Sequence, residues 1–338
     1  MKRLFLSLLA ATLGVGCLPA QSGGVPALAS EALAAAGEGA LAVPGKDPSW
    51  IFGAPELRHL AQGAFWDPWK AGATDPVPEI ARYAAELKGL GVELLLVPVP
   101  PKAALYPEEF GGPGTTPVSS LPFLKQLSDS GVQVLDLEKL LGEAKAAGTR
   151  VYCEQDSHWT PEACQLVAHA IAEGYRGADW LGDPAQFTKT EPETLSVHGD
   201  LVGDAQKATL PREDLAITYV GLAGADAAGK PEPVKVDPAS PLLLLGDSHT
   251  LVFSEGPSTG MHSFGGGLFD HLALEFGLAP DRSANKGSGT GTARSDLARR
   301  AYKDPAFWAD RELVIWVFTA REFTEGTWRE IPAQPKKK

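Results

Sequence analysis

The sequence predicts an α/β domain on a mainly parallel central sheet, and three observations carry that expectation. Residues 242–245 are four consecutive leucines that run into Gly246-Asp247-Ser248. An unbroken apolar run stopped by glycine suits a central strand covered on both faces. Between residues 77 and 173, short apolar runs alternate with segments of helical period, which is the pattern of strand–helix units with parallel strands. The composition agrees: of 338 residues, 44% are apolar and 21% charged, a globular balance with ample core. The apolar runs are evenly spread, so one large domain is expected rather than two.

The chain opens with Lys2 and Arg3, followed by an apolar run from Leu4 to Val15. A basic start and an apolar run too short for a bilayer span read as an export signal, placed at residues 1–20. Leu18-Pro19-Ala20 offers a cleavage site. Gly14-Val15-Gly16-Cys17 offers lipidation at Cys17, although Gly14 stands where that signal prefers leucine; cleavage or an uncleaved anchor is preferred. Residues 21–47, rich in Ala, Gly and Pro, read as a linker with a short helix around 31–36. The folded body is expected over 48–332, and residues 333–338 form a disordered tail.

Within the body, Trp50, Phe52, Phe65, Trp66 and Trp69 are expected mainly to pack the first segment on the core, with sugar stacking as the alternative. Ile80, Tyr83, Ala84, Leu87 and Leu90 define one helical face over 77–90, closed by Gly91. Val92–Val97 is a strand broken by the prolines that follow. Lys102, just beyond it, is expected to be solvated, with a ligand role as the alternative. Leu121–Ser128 reads as a helix, Val132–Leu135 as a strand, Leu137–Ala147 as a helix and Arg150–Cys153 as a third strand. A helix over 161–173 follows, with Thr160 as N-cap and Pro161 at the first position. Residues 177–240 offer one strand, Leu215–Val220. A helix over 268–276, a glycine-rich turn at 283–294, a helix over 292–301 and a last strand over 313–318 complete the body.

The chemistry is concentrated in two stretches. Ser248 stands where a central strand ends, and ligands of open α/β sheets bind beyond the carboxyl ends of strands. Gly246 allows a tight turn there, and turn N–H groups can face an oxyanion. Alone, Gly-Asp-Ser is ordinary turn chemistry. The second stretch, Asp156-Ser157-His158-Trp159-Thr160, changes the odds. On an extended segment, residues two apart share a side, so Asp156 and His158 would project together. A serine nucleophile needs a base, and the base needs a group that fixes its tautomer. Ser248, His158 and Asp156 fill those roles as a catalytic triad. The alternative is that Asp156 and Thr160 cap the next helix while His158 only packs nearby.

These two stretches resemble the SGNH-hydrolase-like proteins of the alginate O-acetyltransferase group (AlgJ/AlgX type). Asp-x-His precedes Gly-Asp-Ser here, the permuted motif order of that group. Residues 48–66, 94–102, 198–201 (His-Gly-Asp-Leu) and 313–322 are also similar to it, so the resemblance spans most of the chain after residue 45. It implies a three-layer α/β/α fold. It implies oxyanion or substrate-binding groups from later loops, at Asn285 and at Gly287 or Gly289, and a substrate or bracing role for Arg321. It also implies a polysaccharide acceptor and an acetyl donor delivered by a membrane acetyl-export protein. His198 and Asp200 are expected either near the cleft or on a surface turn.

A formal charge of −12 argues against nucleic acid as a partner. Arg294, Arg299, Arg300, Lys303 and Arg321 are expected near the site, where they would offset repulsion of an anionic polymer. Cys-x-x-Cys and His-Glu-x-x-His are absent, and Asp-x-His has no companion cluster, so no metal and no cofactor are assigned. Cys153 and Cys164 flank the Asp-x-His loop, and a disulfide between them is expected in an exported chain, with two buried thiols as the alternative. The expected function is an exported, periplasmic serine O-acetyltransferase acting on an envelope or extracellular polysaccharide. A carbohydrate acetylesterase with the same triad comes second, and a non-catalytic polysaccharide-binding or assembly protein third.

Overall fold

The computed structural model describes residues 24–66, 74–112, 114–224 and 229–336. In chain order the first half holds α1 (Val25–Ala36), β1 (Ala42–Pro44), β2 (Ile51–Gly53), α2 (Ala54–Leu60), α3 (Val77–Gly89), β3 (Glu93–Val99), α4 (Lys102–Leu105), α5 (Pro107–Gly111), α6 (Leu121–Asp129), β4 (Gln133–Val134), α7 (Leu137–Ala146) and α8 (Pro161–Glu173). The second half adds β5 (Phe187–Lys189), β6 (Glu193–Val197), α9 (Asp204–Lys207), β7 (Glu213–Ile217), β8 (Val220–Leu222), β9 (Leu242–Gly246), α10 (Leu268–Phe276), β10 (Asp281–Ala284), α11 (Thr292–Lys303), β11 (Leu313–Thr319) and α12 (Glu322–Glu325).

The central sheet runs β10-β9-β11-β3-β4, and every pairing is parallel. The four leucines of β9 are fully buried, and the pleat sends them alternately to two cores. Leu242 and Leu244 join Ile315, Val317, Val97 and Val99 under α7, α8 and α10. Leu243 and Leu245 join Val314, Trp316, Phe318, Leu94 and Leu96 under α3, α6 and α11. Helices therefore cover both faces, and the fold is the expected three-layer α/β/α arrangement. Truncating one of these leucines to alanine would cost ~2–5 kcal/mol, the scale for a buried Leu→Ala cavity.

Several expectations change. Residues 24–47 are not a linker: α1 puts Val25 and Ala29 into the same core as Phe52 and Leu57, and β1 pairs with β2. The helix was legible only in part because Ala and Gly give little period. Arg150–Cys153 does not enter the sheet. The chain turns back on itself there, with Tyr152 and Trp159 forming an isolated antiparallel bridge and Cys153 N–H donating to His158 O at 3.2 Å. Ser283 and Ala284, read as the start of a turn, belong to β10 (Asp281–Ala284) at the sheet edge. Its alternation is buried Asp281 and Ser283, so no apolar pattern marks it. The tail is docked through Ala333, whose N–H donates to Glu86 Oε2 at 2.8 Å, and through Gln334, which donates to Ala301 O at 2.9 Å.

The insertion before β9 forms two antiparallel ribbons, β5–β8 and β6–β7. The single strand expected over 215–220 is thus divided between β7 and β8. Trp50, Phe52 and Phe65 are buried, as core packing requires; Trp69, the signal at 1–20, Cys17, Lys337 and Lys338 lie outside the described residues. No helix among the described residues is long and apolar enough to cross a membrane.

Candidate active site

The site sits beyond the carboxyl end of β9. Gly246 is there because β11 passes too close for a side chain: a Cβ would lie 2.3 Å from Val317 O. Asp247 is buried and anchors the turn with both oxygens. Oδ1 accepts from His249 N–H at 2.9 Å and meets His249 Nδ1 at 3.1 Å, and Oδ2 accepts from Thr319 N–H at 2.8 Å. Burial opposes its charge, but these partners, His249 foremost, hold its pKa below the usual carboxylate range. Ser248 opens a single 3-10 turn over Ser248–Thr250 and is half-buried.

Asp156 and His158 come together through a tight turn rather than an extended segment. Asp156 Oδ1 accepts from His158 N–H at 3.0 Å and lies 2.5 Å from His158 Nδ1. Both side chains are buried. Burial disfavours the imidazolium, yet the Asp156 carboxylate outweighs it and raises the His158 pKa to about 9. Burial also works against Asp156, whose pKa is nonetheless held well below the usual range by His158 and by His262. His158 Nε2 is buried and has no hydrogen-bond partner among the described residues. The expected bond from Ser248 to that nitrogen is therefore not formed in this unliganded state, where catalytic contacts are often loose. The two loops are adjacent all the same: the ring of His249, next to Ser248, stands 4.8 Å from the His158 ring, edge to face.

Three further groups fix the Asp-x-His loop. Lys102, expected in solvent, is completely buried. Its ammonium donates to the carbonyls of Cys153, Glu154 and Asp156 at 3.0, 3.0 and 2.7 Å, which uses all three of its protons. Gly199 lets the His-Gly-Asp segment lie flat on the loop, since a Cβ would come within 2.1 Å of Gln155 C. Asp200 then donates its N–H to Asp156 Oδ2 at 2.8 Å and accepts from Ser157 N–H and Oγ, each at 2.7 Å. Thr160 caps α8 as expected, accepting from Ala163 N–H at 3.2 Å.

Fold and site geometry meet an independent comparison here. The family described as "SGNH hydrolase-like domain, acetyltransferase AlgX" matches residues 42–272, well over half of the chain. The chain belongs to this AlgX-type family. It is 30% identical over 156 residues to the probable alginate O-acetylase AlgJ of Azotobacter vinelandii, covering 45% of this chain and 38% of that protein. The figures are 32% over 163 residues for the AlgJ of Pseudomonas aeruginosa, covering 47% and 39%. The matched region thus spans under half of those relatives. The fold is similar to the O-acetyltransferase domain of Pseudomonas putida AlgJ, with a TM-score of 0.59 at 22% identity over 83% of this chain and 92% of that one. It is also similar to Pseudomonas aeruginosa AlgX, at 0.54 and 18% over 84% and 67%.

The remaining expected site residues of this AlgX-type chain are distributed unevenly. Asn285 leaves β10 beside β9, its N–H donating to Gly246 O at 3.1 Å, but its amide donates to Asp296 Oδ2 at 2.9 Å. Gly287 is exposed, whereas Gly289 lies against the Asp247 backbone. Arg321 follows β11, pairs with Glu325 at 3.5 Å and acts electrostatically on Glu56, His59 and His249. Arg294 is elsewhere: fully buried, bonded to Glu79 Oε1 at 2.6 Å and held over Trp316. Arg299 pairs with Asp296 one turn earlier on α11, and Arg300 reaches Asp281 of β10.

Cys153 and Cys164 are both free and buried. The expected disulfide does not form; the Cys153 thiol instead faces Trp159 O at 3.5 Å. Asp156, His158 and Asp200 each offer one ligand atom within 4.8 Å of the others, so Asp-x-His does have a companion carboxylate. Those atoms are already engaged with one another, Ser157 and His262.

His262 is the partner that the sequence did not reveal. Its Nε2 lies 2.7 Å from Asp156 Oδ2. It reaches there from the segment after Ser248, which is folded by Phe253 N–H to Met261 O at 2.8 Å and Gly256 N–H to Ser263 O at 2.9 Å. The residue itself takes φ 65°, a left-handed conformation uncommon outside glycine. An isolated histidine in a glycine-rich stretch carries no motif, so only the three-dimensional contact exposes it.

Proposed function

We propose that this chain is an exported serine O-acetyltransferase that acetylates hydroxyls of an envelope or extracellular polysaccharide. The observation that carries the reading is the buried Asp156–His158 pair, whose ring packs on His249 of the turn that holds Ser248 and whose Nε2 has no partner among the described residues, within an AlgX-type chain. In the first step His158 Nε2 takes the Ser248 proton as Oγ attacks the acetyl carbonyl. The bond from the acetyl carbon to the donor oxygen breaks, and His158 returns the proton to that oxygen. In the second step His158 deprotonates a sugar hydroxyl, which attacks the acetyl-serine; the ester bond to Oγ breaks and Oγ regains a proton. Asp156 holds the ring tautomer and stabilises the imidazolium. Backbone N–H groups near Ser248 and Gly289, with Arg321, are the groups we assign to the oxyanion.

Export is supported by Lys2, Arg3 and the apolar run to Val15, and a membrane protein would supply acetyl groups on the far side. The catalytic body is read as residues 24–334. The test is an activated acetyl ester as donor with a panel of oligosaccharides. Acetylated sugar by mass spectrometry, lost in Ser248→Ala, supports the transferase. Free acetate as the sole product across the panel makes the chain an esterase. Binding without turnover in the wild type makes it a scaffold.

A further inference from the structure

The two turns that meet at the site are built alike. Both read Asp-Ser-His, at 156–158 and at 247–249. In each, the aspartate Oδ1 accepts the backbone N–H of the histidine two residues on, at 3.0 Å for His158 and 2.9 Å for His249. The same oxygen meets that histidine's Nδ1, at 2.5 and 3.1 Å. A carboxylate on Nδ1 keeps a proton there and leaves the ring's lone pair on Nε2. Both Nε2 atoms are buried, and neither has a hydrogen-bond partner among the described residues. The ring centroids stand 4.8 Å apart. The Asp156–His158 turn has a use in the mechanism; the Asp247–His249 turn repeats its design without one.

Two neighbouring imidazoles, each with a carboxylate on Nδ1 and a free Nε2, have the build of a transition-metal site. A histidine that binds metal through one nitrogen almost always gives its other N–H to a carboxylate or carbonyl, and such carboxylates are themselves held. Here Asp156 Oδ2 accepts from Asp200 N–H at 2.8 Å and meets His262 Nε2 at 2.7 Å, while Asp247 Oδ2 accepts from Thr319 N–H at 2.8 Å. The spacing agrees as well. Zn–N bonds of ~2.0–2.1 Å at a tetrahedral angle put the centroids of two ligating imidazoles about 5 Å apart. Ser248, between Asp247 and His249 in the chain, is half-buried and gives solvent a way in. The carboxyls of Glu56, Asp156, Asp200 and Asp247 act on the two rings against the guanidinium of Arg321, a balance that favours a cation. Imidazole ligands select zinc, nickel or copper, whereas magnesium and calcium take oxygen.

We propose that His158 and His249 together bind a divalent transition-metal ion, Zn2+ foremost, through their Nε2 atoms, and that the bound ion switches the enzyme off. Water or Ser248 Oγ completes the coordination. The site itself stands on the paired turns. The switch rests on the acyl-transfer reading above, because a lone pair engaged by zinc cannot take the serine proton. Zinc replaces the proton that a pKa of about 9 leaves on His158 at neutral pH, so binding releases it. His249 thereby gains a role that packing beside the nucleophile does not give it: it is the second ligand that lets a metal compete with that proton.

The test uses the full chain and zinc chloride, at about pH 8 to limit proton competition. Calorimetry should show one zinc bound per chain, and zinc should raise the melting temperature of the wild type where magnesium chloride does not. Ser248→Ala should still bind zinc, so the site is read without turnover. His249→Phe and His158→Phe keep a ring in each place, and each should weaken zinc binding at least about tenfold. In the wild type, zinc should inhibit acetate release from the activated ester, and a chelator should restore it. Absence of zinc binding in the wild type overturns the site. Affinity unchanged in both Phe variants also overturns it, and places the ion elsewhere, as on the exposed His169, which pairs with Glu275 at 3.2 Å and Glu173 at 3.5 Å. Zinc that binds through both histidines but leaves ester turnover untouched overturns the switch and the assignment of His158 as the base, while the metal site stands.

Discussion

His262 Nε2 stands 2.7 Å from Asp156 Oδ2, the carboxylate oxygen that His158 does not use. Asp156 is thus held between two imidazoles and the Asp200 N–H. Each donor favours the ionised carboxylate, which in the proposed mechanism would stabilise His158 when it takes a proton. His262 is a positioning residue in this scheme, acting on the base through Asp156.

Replacing it by Phe removes the bond and keeps a ring. The expected result for His262→Phe is a fall in kcat of about tenfold to a hundredfold, matching ~1.5–3 kcal/mol for a hydrogen bond to a charged group. The donor KM should stay nearly unchanged, and His262→Gln, whose amide can still donate, should recover most of the rate. Equal kcat in His262→Phe and wild type would remove His262 from the scheme.

The pH profile follows from His158. In the proposed mechanism only the neutral ring can take the serine proton, and the pKa of His158 is raised to about 9. Ester turnover should therefore climb about tenfold per unit through neutrality and level off near pH 9. In Asp156→Asn the cause of the rise is gone, so the small remaining rate should level off at lower pH. A wild-type rate already flat at pH 6 would contradict this account.

Lys102 offers a stability test. Lys102→Met leaves the carbonyls of Cys153, Glu154 and Asp156 without their common donor. Glu154 O keeps the Ile51 N–H at 2.9 Å, so two carbonyls are orphaned, and at ~1–3 kcal/mol for each buried unsatisfied group denaturant melts should show a loss of at least ~2 kcal/mol. Ester turnover should fall with it as the Asp-x-His loop relaxes. Lys102→Arg should not rescue, because a planar guanidinium cannot copy three convergent donors in a closed site. Wild-type stability in Lys102→Met would show that the loop holds itself.

Asp270 provides a pH-dependent stability term. Burial pushes its carboxyl up to about 7 from an ordinary 3.8, against donors from Ser254 and Gly267. A carboxyl with a raised folded pKa binds its proton more tightly when folded, so stability falls as pH rises from about 4 to about 7. Glu56, also raised to about 7 by burial, adds a slope of the same sign. Asp270→Asn should reduce the decline in melting temperature across that window without abolishing it. An unchanged decline would assign the slope to other groups.

Cys153 and Cys164 should be alkylated as two free thiols only after unfolding, since both are buried. A linked peptide in a non-reduced digest would contradict the structure.

The sheet was legible in the sequence where burial is two-sided and apolar. The four leucines of β9 and residues 313–318 announce themselves by composition, and α3, α6, α7 and α8 by period. Polar pairing hid β10, whose buried residues are Asp281 and Ser283. The Asp156–His158 contact was legible from spacing, although a turn rather than an extended strand achieves it. Lys102 and His262 were not legible, because their roles depend on loops folded from distant parts of the chain. A buried lysine and a solvated one look alike until its acceptors are placed around it.

The alternation of Leu242–Leu245 between two cores also sets the phase of Ser248. A strand has a two-residue repeat, so deleting one residue from β9 while holding its end in place would exchange the leucines of the two helical layers. Holding the leucines in place instead would rotate the serine turn to the other side of the sheet. The hydrophobic interior thus works as an indexing mechanism: it can settle in only one phase, and that phase aims the hydroxyl. A change of length in a loop would carry no such penalty, because there the count of residues carries no angular information.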